Sequence, residues 1–180
     1  NVSQDSEEKM LEAIIYSLTE IESVKKIKIL VEGESLTHLP NSNKKIPELL
    51  DKNYGINKIY NLDSIKDTSK TTIYYLSKYN DYYYYVPVTK ISNENLEKAE
   101  IIINELKTTP IYHTNLISYL AASTNLTNYE ILENSISLSF DNHLLAGIDD
   151  EDMLEEVKYA ISLSIRDSYG IDEVIFNFPE

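Results

Sequence analysis

The chain contains no cysteine and no tryptophan, and only four of its 180 residues are glycine. The absence of cysteine excludes disulfides, thiolate nucleophiles and cysteine-ligated metals. The glycines, Gly33, Gly55, Gly147 and Gly170, do not cluster, so the sequence has no glycine-rich loop of the kind that binds phosphate. The usual signatures of thiol, disulfide and nucleotide chemistry are therefore missing.

Positive charge is also scarce, because 30 acidic residues face 16 lysines and arginines and the formal net charge is −14. An acidic surface repels the phosphates of nucleic acids and of anionic lipids. We therefore expect neither nucleic acid nor a bare membrane surface as a partner. The charge is uneven, since residues 1–70 carry −2 and residues 71–180 carry −12. The two parts should present different surfaces.

No stretch approaches the roughly 20 apolar residues of a membrane span, and no signal peptide is visible. Because Asn1 is not a natural start residue, we expect that a preceding segment has been removed. The hydrophobic fraction of 42% is sufficient for a packed core.

A helix followed by a strand occurs twice. Residues 7–22 have apolar residues at helical spacing after Ser6, a suitable N-cap, and residues 27–31 alternate as a strand does. Residues 150–180 repeat this order, with a helix predicted to open at Asp149 or Asp150. Met10-Leu11-Glu12 aligns with Met153-Leu154-Glu155, and Tyr16 aligns with Tyr159. The sequence therefore predicts a repeated structural unit.

Residues 71–180 are predicted to form a complete α+β domain. Strands at 71–77 and 82–90 precede a helix that begins at Ser92 or Asn93, with Leu96 among its inward residues. A second strand pair, at 129–132 and 135–140, precedes the repeated helix and strand. The order β-β-α-β-β-α-β predicts a mixed sheet with both helices packed on one face.

Residues 1–34 contain only the last helix and strand of such a unit. A lone helix and strand cannot bury a core, so we interpret them as the C-terminal half of a first domain. Residues 35–70, with Pro40, Pro47 and Gly55, are too apolar for a free linker. They predict an ordered interdomain connector with a short helix near 46–52.

No residue pattern points to catalysis or metal binding. His38, His113 and His143 lie in three separate predicted loops without metal-site spacing. The acidic run at 149–152 lacks the alternating layout of a calcium loop and is interpreted as a helix start. We predict no catalytic residue, no metal and no cofactor.

The most unusual feature is a strand with four consecutive tyrosines, Tyr82 to Tyr85. Alternation sends Tyr82 and Tyr84 to one face and Tyr83 and Tyr85 to the other. Tyrosine is favoured at protein interfaces, but it also simply suits strands. With the tyrosines of the paired strand, the predicted interface comprises Tyr74, Tyr75, Tyr82, Tyr83, Tyr84 and Tyr85.

Several segments resemble the GerMN domain, the sporulation and spore-germination domain family. MLEAIIYSLTEIESVKKIKILVEGE resembles the end of that domain, TTIYYLSKYNDYYYYVPVTKI its opening hairpin and NENLEKAEIIINELKTTP its first helix. IPELLDKNYGINKIYNL resembles the stretch between two tandem copies. The resemblance covers nearly the whole chain, and it rests on apolar patterns because no chemically specific motif is involved.

The resemblance implies a fold like the ring-building motifs of secretion systems and a non-catalytic role in endospore formation in Bacillus- and Clostridium-like bacteria. It implies an extracytoplasmic location between the mother-cell and forespore membranes, with membrane contact only through an N-terminal anchor outside these 180 residues. It also implies that the protein helps assemble or localise a channel complex between the two cells. The implied partners are other sporulation proteins, possible self-association included.

Two other functions remain open. A cell-wall hydrolase would need two carboxylates in a cleft about 5–10 Å apart, and Glu130, Glu133 and Asp141 are the nearest candidates. A sugar-binding module would stack its ligand on the tyrosines. A concave aromatic surface would favour that second alternative.

Overall fold

The computed structural model describes residues 3–64, 66–108, 115–141, 144 and 153–179. The chain divides into two compact units, unit 1 at residues 1–58 and unit 2 at residues 59–180. The elements of unit 1 are α1 (Gln4–Thr19), β1 (Leu30–Val31), β2 (Glu34–Ser35) and a 3-10 turn (Lys52–Tyr54). Those of unit 2 are β3 (Ile59–Asn61), β4 (Ser69–Tyr79), β5 (Tyr82–Ser92), α2 (Lys98–Leu106), β6 (Leu126–Ile131), β7 (Ser135–Phe140), α3 (Glu155–Tyr169) and β8 (Glu173–Asn177).

The first helix begins earlier than predicted. Ser3 is its N-cap, and its side-chain oxygen accepts the backbone N–H of Ser6 at 3.2 Å. Ser6, the predicted cap, lies in the first helical turn. The prediction missed the true cap because both serines precede the apolar stripe and both suit the position.

The core of unit 1 forms between α1 and the segment that follows the β1–β2 hairpin. Its buried side chains are Leu11, Ile15, Tyr16, Leu39, Ile46 and Leu50. The helix predicted near 46–52 is absent, because Ile46 and Leu50 use their backbone N–H groups to pair with Thr37 and Ile27. The predicted connector is shared between the units, because its residues up to Lys58 belong to unit 1 and Ile59 begins unit 2.

Unit 2 has the predicted order β-β-α-β-β-α-β, preceded by the short strand β3. Its strands form two three-stranded mixed sheets, ordered β3-β5-β4 and β6-β7-β8, where one continuous sheet was expected. β5 pairs antiparallel with β4 and parallel with β3, and β7 pairs antiparallel with β6 and parallel with β8. The α+β class and the mixed strand directions are confirmed.

Helix α2 begins at Lys98, six residues after the predicted Ser92. Ser92 ends β5, opposite Asn61 of β3, and Asn93 accepts the backbone N–H groups of Asp63 and Ser64 at 3.1 and 3.4 Å. Leu96 precedes the helix and is 44% exposed. Pairing with β3, a strand absent from the prediction, explains these errors.

Helix α3 begins at Glu155, whereas the sequence predicted a start at Asp149 or Asp150. Those two aspartates lie outside the described residues, but Met153 and Leu154 are described and precede the helix. The helix ends at Gly170, whose left-handed conformation (φ 67°) favours glycine.

Candidate interaction surface

The β4–β5 hairpin extends beyond the core and carries exposed tyrosines at its tip. Tyr79 pairs with Tyr82, and these residues are 70% and 77% exposed. Asn80 makes the turn with a left-handed backbone (φ 53°), which asparagine tolerates. Tyr83 and Tyr84 are also exposed. The tyrosine-rich strand therefore presents aromatic rings to solvent on both faces near the tip.

Two of the six predicted interface tyrosines occupy other environments. Tyr75 is 1% exposed and packs in the core of unit 2, with its hydroxyl 3.4 Å from the Glu105 carboxylate. Burial first, and Glu105 second, raise the pKa of the Tyr75 hydroxyl. Tyr75 is thus a core residue, because alternation along β4 turns it inward, and the prediction that it faces a partner is wrong. Tyr74 is half-buried.

Residues distant in the sequence extend one face of the hairpin. Tyr83 and Tyr85 lie two apart on β5 and so share a face. The hydroxyls of Tyr83 and Tyr119 are 3.5 Å apart, and the rings of Tyr85 and Tyr159 are 6.2 Å apart and tilted by 50°. We call Tyr83, Tyr85, Tyr119 and Tyr159 the tyrosine surface. Tyr119 and Tyr159, which are 42% and 48% exposed, were missed by sequence reasoning.

Two carboxylates of the first turn of α3 adjoin the tyrosine surface. Burial raises the pKa of the Tyr85 hydroxyl, and the charges of Glu156 and Glu155 raise it further. The pKa of Tyr119 is raised first by its hydrogen bond with Tyr83, and Glu156 contributes as well. Glu156 therefore acts on one tyrosine of each pair, Tyr85 and Tyr119.

A cation already contacts this surface at one point. The ammonium of Lys78 lies 5.3 Å from the centre of the Tyr83 ring, within the range of a cation–π interaction. Lys78 and Tyr83 are direct cross-strand partners, which explains their proximity.

A groove of about 420 Å³ begins beside Tyr159 and follows the outer side of α3. Its lining residues are Met153, Glu155, Lys158, Tyr159, Ser162, Leu163, Arg166, Asp172 and Val174. Lys158 and Arg166, together with Glu155 and Asp172, make this groove mixed in charge.

In unit 1, Lys58 is held by a tyrosine ring and two glutamate carboxylates. The ammonium of Lys58 lies 3.9 Å from the centre of the Tyr54 ring, 2.8 Å from Glu8 and 3.0 Å from Glu12. Burial lowers the pKa of Lys58, but its hydrogen bonds to the two glutamates outweigh that effect and leave it raised. Glu12, whose side chain is 5% exposed, also accepts the backbone N–H of Asn57 at 2.9 Å.

Among the residues that the structure describes, the remaining candidates for chemistry form no metal site. His38 makes a 3.0 Å hydrogen bond with Thr37, while His113, His143 and the acidic run at 149–152 lie outside the described residues. In the part of the chain that the structure describes, no three His, Asp or Glu side chains lie together in a way that would hold a metal ion.

Two of the three carboxylates proposed for a hydrolase, Glu133 and Asp141, lie apart. Glu133 is in the turn between β6 and β7, and Asp141 follows the far end of β7, so their backbones are about 20 Å apart at the usual rise of a strand. Asp141 binds the backbone N–H and the side-chain amide of Asn125 at 3.2 and 2.7 Å. Asp141 therefore links the ends of the hairpin.

These features define a class of protein: a two-unit α+β protein with an exposed aromatic surface. The family model Germane, described as sporulation and spore germination, matches residues 1–37. The chain is 26% identical to the spore germination protein GerM of Bacillus subtilis over 179 aligned residues. The alignment covers 97% of this chain and 49% of GerM. The chain thus spans about half the length of that curated relative.

The solved structure of the tandem GerMN domains of the sporulation protein GerM from Bacillus subtilis superposes with a TM-score of 0.86 at 26% identity. The match covers 98% of this chain and 62% of that chain. The resemblance to the GerMN family is confirmed: residues 1–37 match the Germane model, and nearly the whole chain is similar in sequence and fold to the tandem GerMN domains of GerM. No helix in the described ranges is long and apolar enough to cross a membrane.

Proposed function

We propose that the protein is a non-catalytic assembly factor of endospore formation. Through protein–protein contacts it helps to assemble or localise a channel complex between mother cell and forespore. The similarity to GerM supports a role in sporulation. We propose that it acts outside the cytoplasm, between the two membranes that surround the forespore.

The observation that carries this proposal is the exposure of the hairpin tip. Tyr79, Tyr82, Tyr83 and Tyr84 are all at least 45% exposed on two long paired strands. Large aromatic side chains are frequent at the centre of protein interfaces, because they bury much area at little entropic cost. A rigid hairpin that presents several of them is suited to bind another protein.

The test replaces Tyr82, Tyr83 and Tyr84 together with serine at the gene's own locus and counts heat-resistant spores. We expect at least a tenfold loss, with protein levels unchanged because the replaced side chains are exposed. The control is Tyr60→Ser, which removes a 61% exposed tyrosine from β3 and should leave the count unchanged. Normal sporulation of the triple variant would refute the proposed role of the hairpin.

A hydrolase is tested by Glu130→Gln/Glu133→Gln. Both side chains are exposed on β6 and its turn. We expect no effect on spore yield, because both side chains are exposed and Glu133 lies at the opposite end of β7 from Asp141. A loss of heat-resistant spores equal to that of the triple tyrosine variant would support a hydrolase instead.

A further inference from the structure

The repeat alignment gives sequence counterparts in unit 2 for residues that surround Lys58 in unit 1. Aligning Met10-Leu11-Glu12 with Met153-Leu154-Glu155 places Glu12 opposite Glu155 and Tyr16 opposite Tyr159. Glu12 is one of the two carboxylates that hold Lys58. Its counterpart Glu155 is exposed beside Tyr85 and Tyr159 and makes no ion pair with a described residue.

The Lys58 site and the tyrosine surface both combine tyrosine rings with two glutamates, but they differ in whether a lysine is held between them. In unit 1, a tyrosine ring and two glutamates surround Lys58, whose side chain is only 9% exposed. In unit 2, Glu155 and Glu156 adjoin Tyr85, and Glu155 lines a groove together with Tyr159. Among the described cations, only Lys78 lies over a ring of the tyrosine surface. The carboxylates of Glu155 and Glu156 beside Tyr85 are thus complementary to a positive charge supplied from outside.

We propose that the tyrosine surface, with Glu155 and Glu156, binds a lysine- or arginine-bearing segment of a partner protein. This inference rests on the proposed function and specifies the chemistry of its partner. A cation over an exposed tyrosine ring gains a cation–π interaction, and a neighbouring carboxylate supplies the opposite charge. The part of the chain that carries the surface, residues 71–180, has a net charge of −12, which also steers a basic partner toward it.

A peptide titration followed by NMR tests this proposal on the 180-residue chain. The probe is an eight-residue peptide that alternates lysine and leucine, and its matched control has glutamine in place of each lysine. In 150 mM salt we expect shift changes at the amides of Tyr83, Tyr85, Tyr119 and Tyr159 with the lysine peptide only. Long-range attraction is largely screened at this ionic strength, so the shifts report local contacts.

Two pairs of variants separate the surface from general charge. Glu155→Gln/Glu156→Gln should weaken binding at least about threefold, whereas Glu130→Gln/Glu133→Gln, which removes the same charge from β6 and its turn, should change it less than about twofold. Tyr159→Leu should weaken binding about two- to fivefold because the ring is lost, and Tyr159→Phe should not, because the ring remains.

Several outcomes would overturn the inference. Equal weakening by both charge variants would mean general attraction only. Shifts at the same residues with a chitin oligosaccharide, and none with the lysine peptide, would identify a sugar-binding surface. Shifts that appear with protein concentration alone would assign the surface to a second copy. The variant with serine at Tyr82, Tyr83 and Tyr84 tests the proposed function separately. If this variant sporulates poorly but the unmodified chain does not bind the lysine peptide, only the present inference is refuted. If the variant sporulates normally, the proposed function of the hairpin is refuted.

Discussion

The side-chain oxygen of Ser164 accepts the backbone N–H of Tyr74 at 2.8 Å and donates to the carbonyl of Ala160 at 2.6 Å. One turn later, Ser168 accepts the N–H of Thr72 and donates to its carbonyl, both at 3.1 Å. Further along β4, Leu76 pairs with the backbone of Ile117. Helix α3 thus occupies the edge of β4 where another strand would otherwise pair, which explains why unit 2 contains two sheets.

Ser164→Ala should lower the free energy of unfolding by about 1–3 kcal/mol, because it removes the side-chain acceptor of the part-buried Tyr74 N–H. The control is Ser162→Ala on the outer side of the same helix, which should change stability by less than about 0.5 kcal/mol, since alanine favours helices. Urea unfolding measures both. Equal effects would show that the serine bonds to β4 contribute little.

Truncation of Tyr75 should cost far more stability than truncation of Tyr82. Tyr75→Ala removes a fully buried ring and should cost about 3–5 kcal/mol, while Tyr82→Ala removes an exposed one and should cost less than about 0.5 kcal/mol. Thermal unfolding compares them directly. A stable Tyr75→Ala variant would contradict the assignment of Tyr75 to the core.

Lys58→Met should destabilise the chain by about 3–5 kcal/mol at neutral pH, because it leaves the buried carboxylate of Glu12 uncompensated. Lys28→Met, which breaks the exposed pair with Glu48, is the matched control and should cost less than about 1 kcal/mol. Combining Lys58→Met with Glu12→Gln should recover part of the loss. No recovery would mean that the lysine stabilises through packing.

The contribution of Glu8 to stability should depend on pH. Burial raises the pKa of Glu8, but its hydrogen bonds to Lys44 and Lys58 outweigh burial and hold it below the ordinary value of 4.5. A carboxylate whose pKa is lower in the folded state than in the unfolded state stabilises the fold at pH values above its unfolded-state pKa. This stabilisation is lost as the pH falls through the folded-state pKa. The difference in melting temperature between the unmodified chain and Glu8→Gln should therefore shrink below about pH 4.5. A constant difference would contradict this assignment.

The α1 face tests the prediction that residues 1–34 are the C-terminal half of a GerMN domain. Met10, Ile14, Leu18 and Ile21 are 41–55% exposed, yet the repeat alignment places Ile14 and Leu18 opposite Val157 and Ile161, which are buried in unit 2. An apolar stripe of this kind promotes association. We expect the 180-residue chain to gain mass with concentration in light scattering, and Ile14→Lys/Leu18→Lys to abolish the gain without loss of stability. Association that survives this change would point to another surface.

The order of elements in unit 2 was predictable, because strand alternation and helical spacing are local properties of the sequence. Helix starts were less predictable, because Ser92 and Asn93 suit an N-cap. Instead, Ser92 pairs with β3, and Asn93 accepts the backbone N–H of Asp63, which follows β3. For the candidate surface, the hairpin tyrosines could be identified from their pattern. Tyr119 has no such pattern, and Tyr159 was visible only as a repeat position.

The sequence by itself determined the α+β class, the element order of unit 2 and the tyrosine-rich hairpin, since each depends on neighbouring residues. Only the tertiary structure decided which face of each repeated helix is buried. The segment up to Lys58 covers Leu11 and Ile15 in α1, whereas Val157 and Ile161 in α3 belong to the core of unit 2 with side chains of β4, β5, α2 and β7. Helices with matching sequences bury different faces because burial depends on what packs against a helix, and those contacts come from residues far away in the chain.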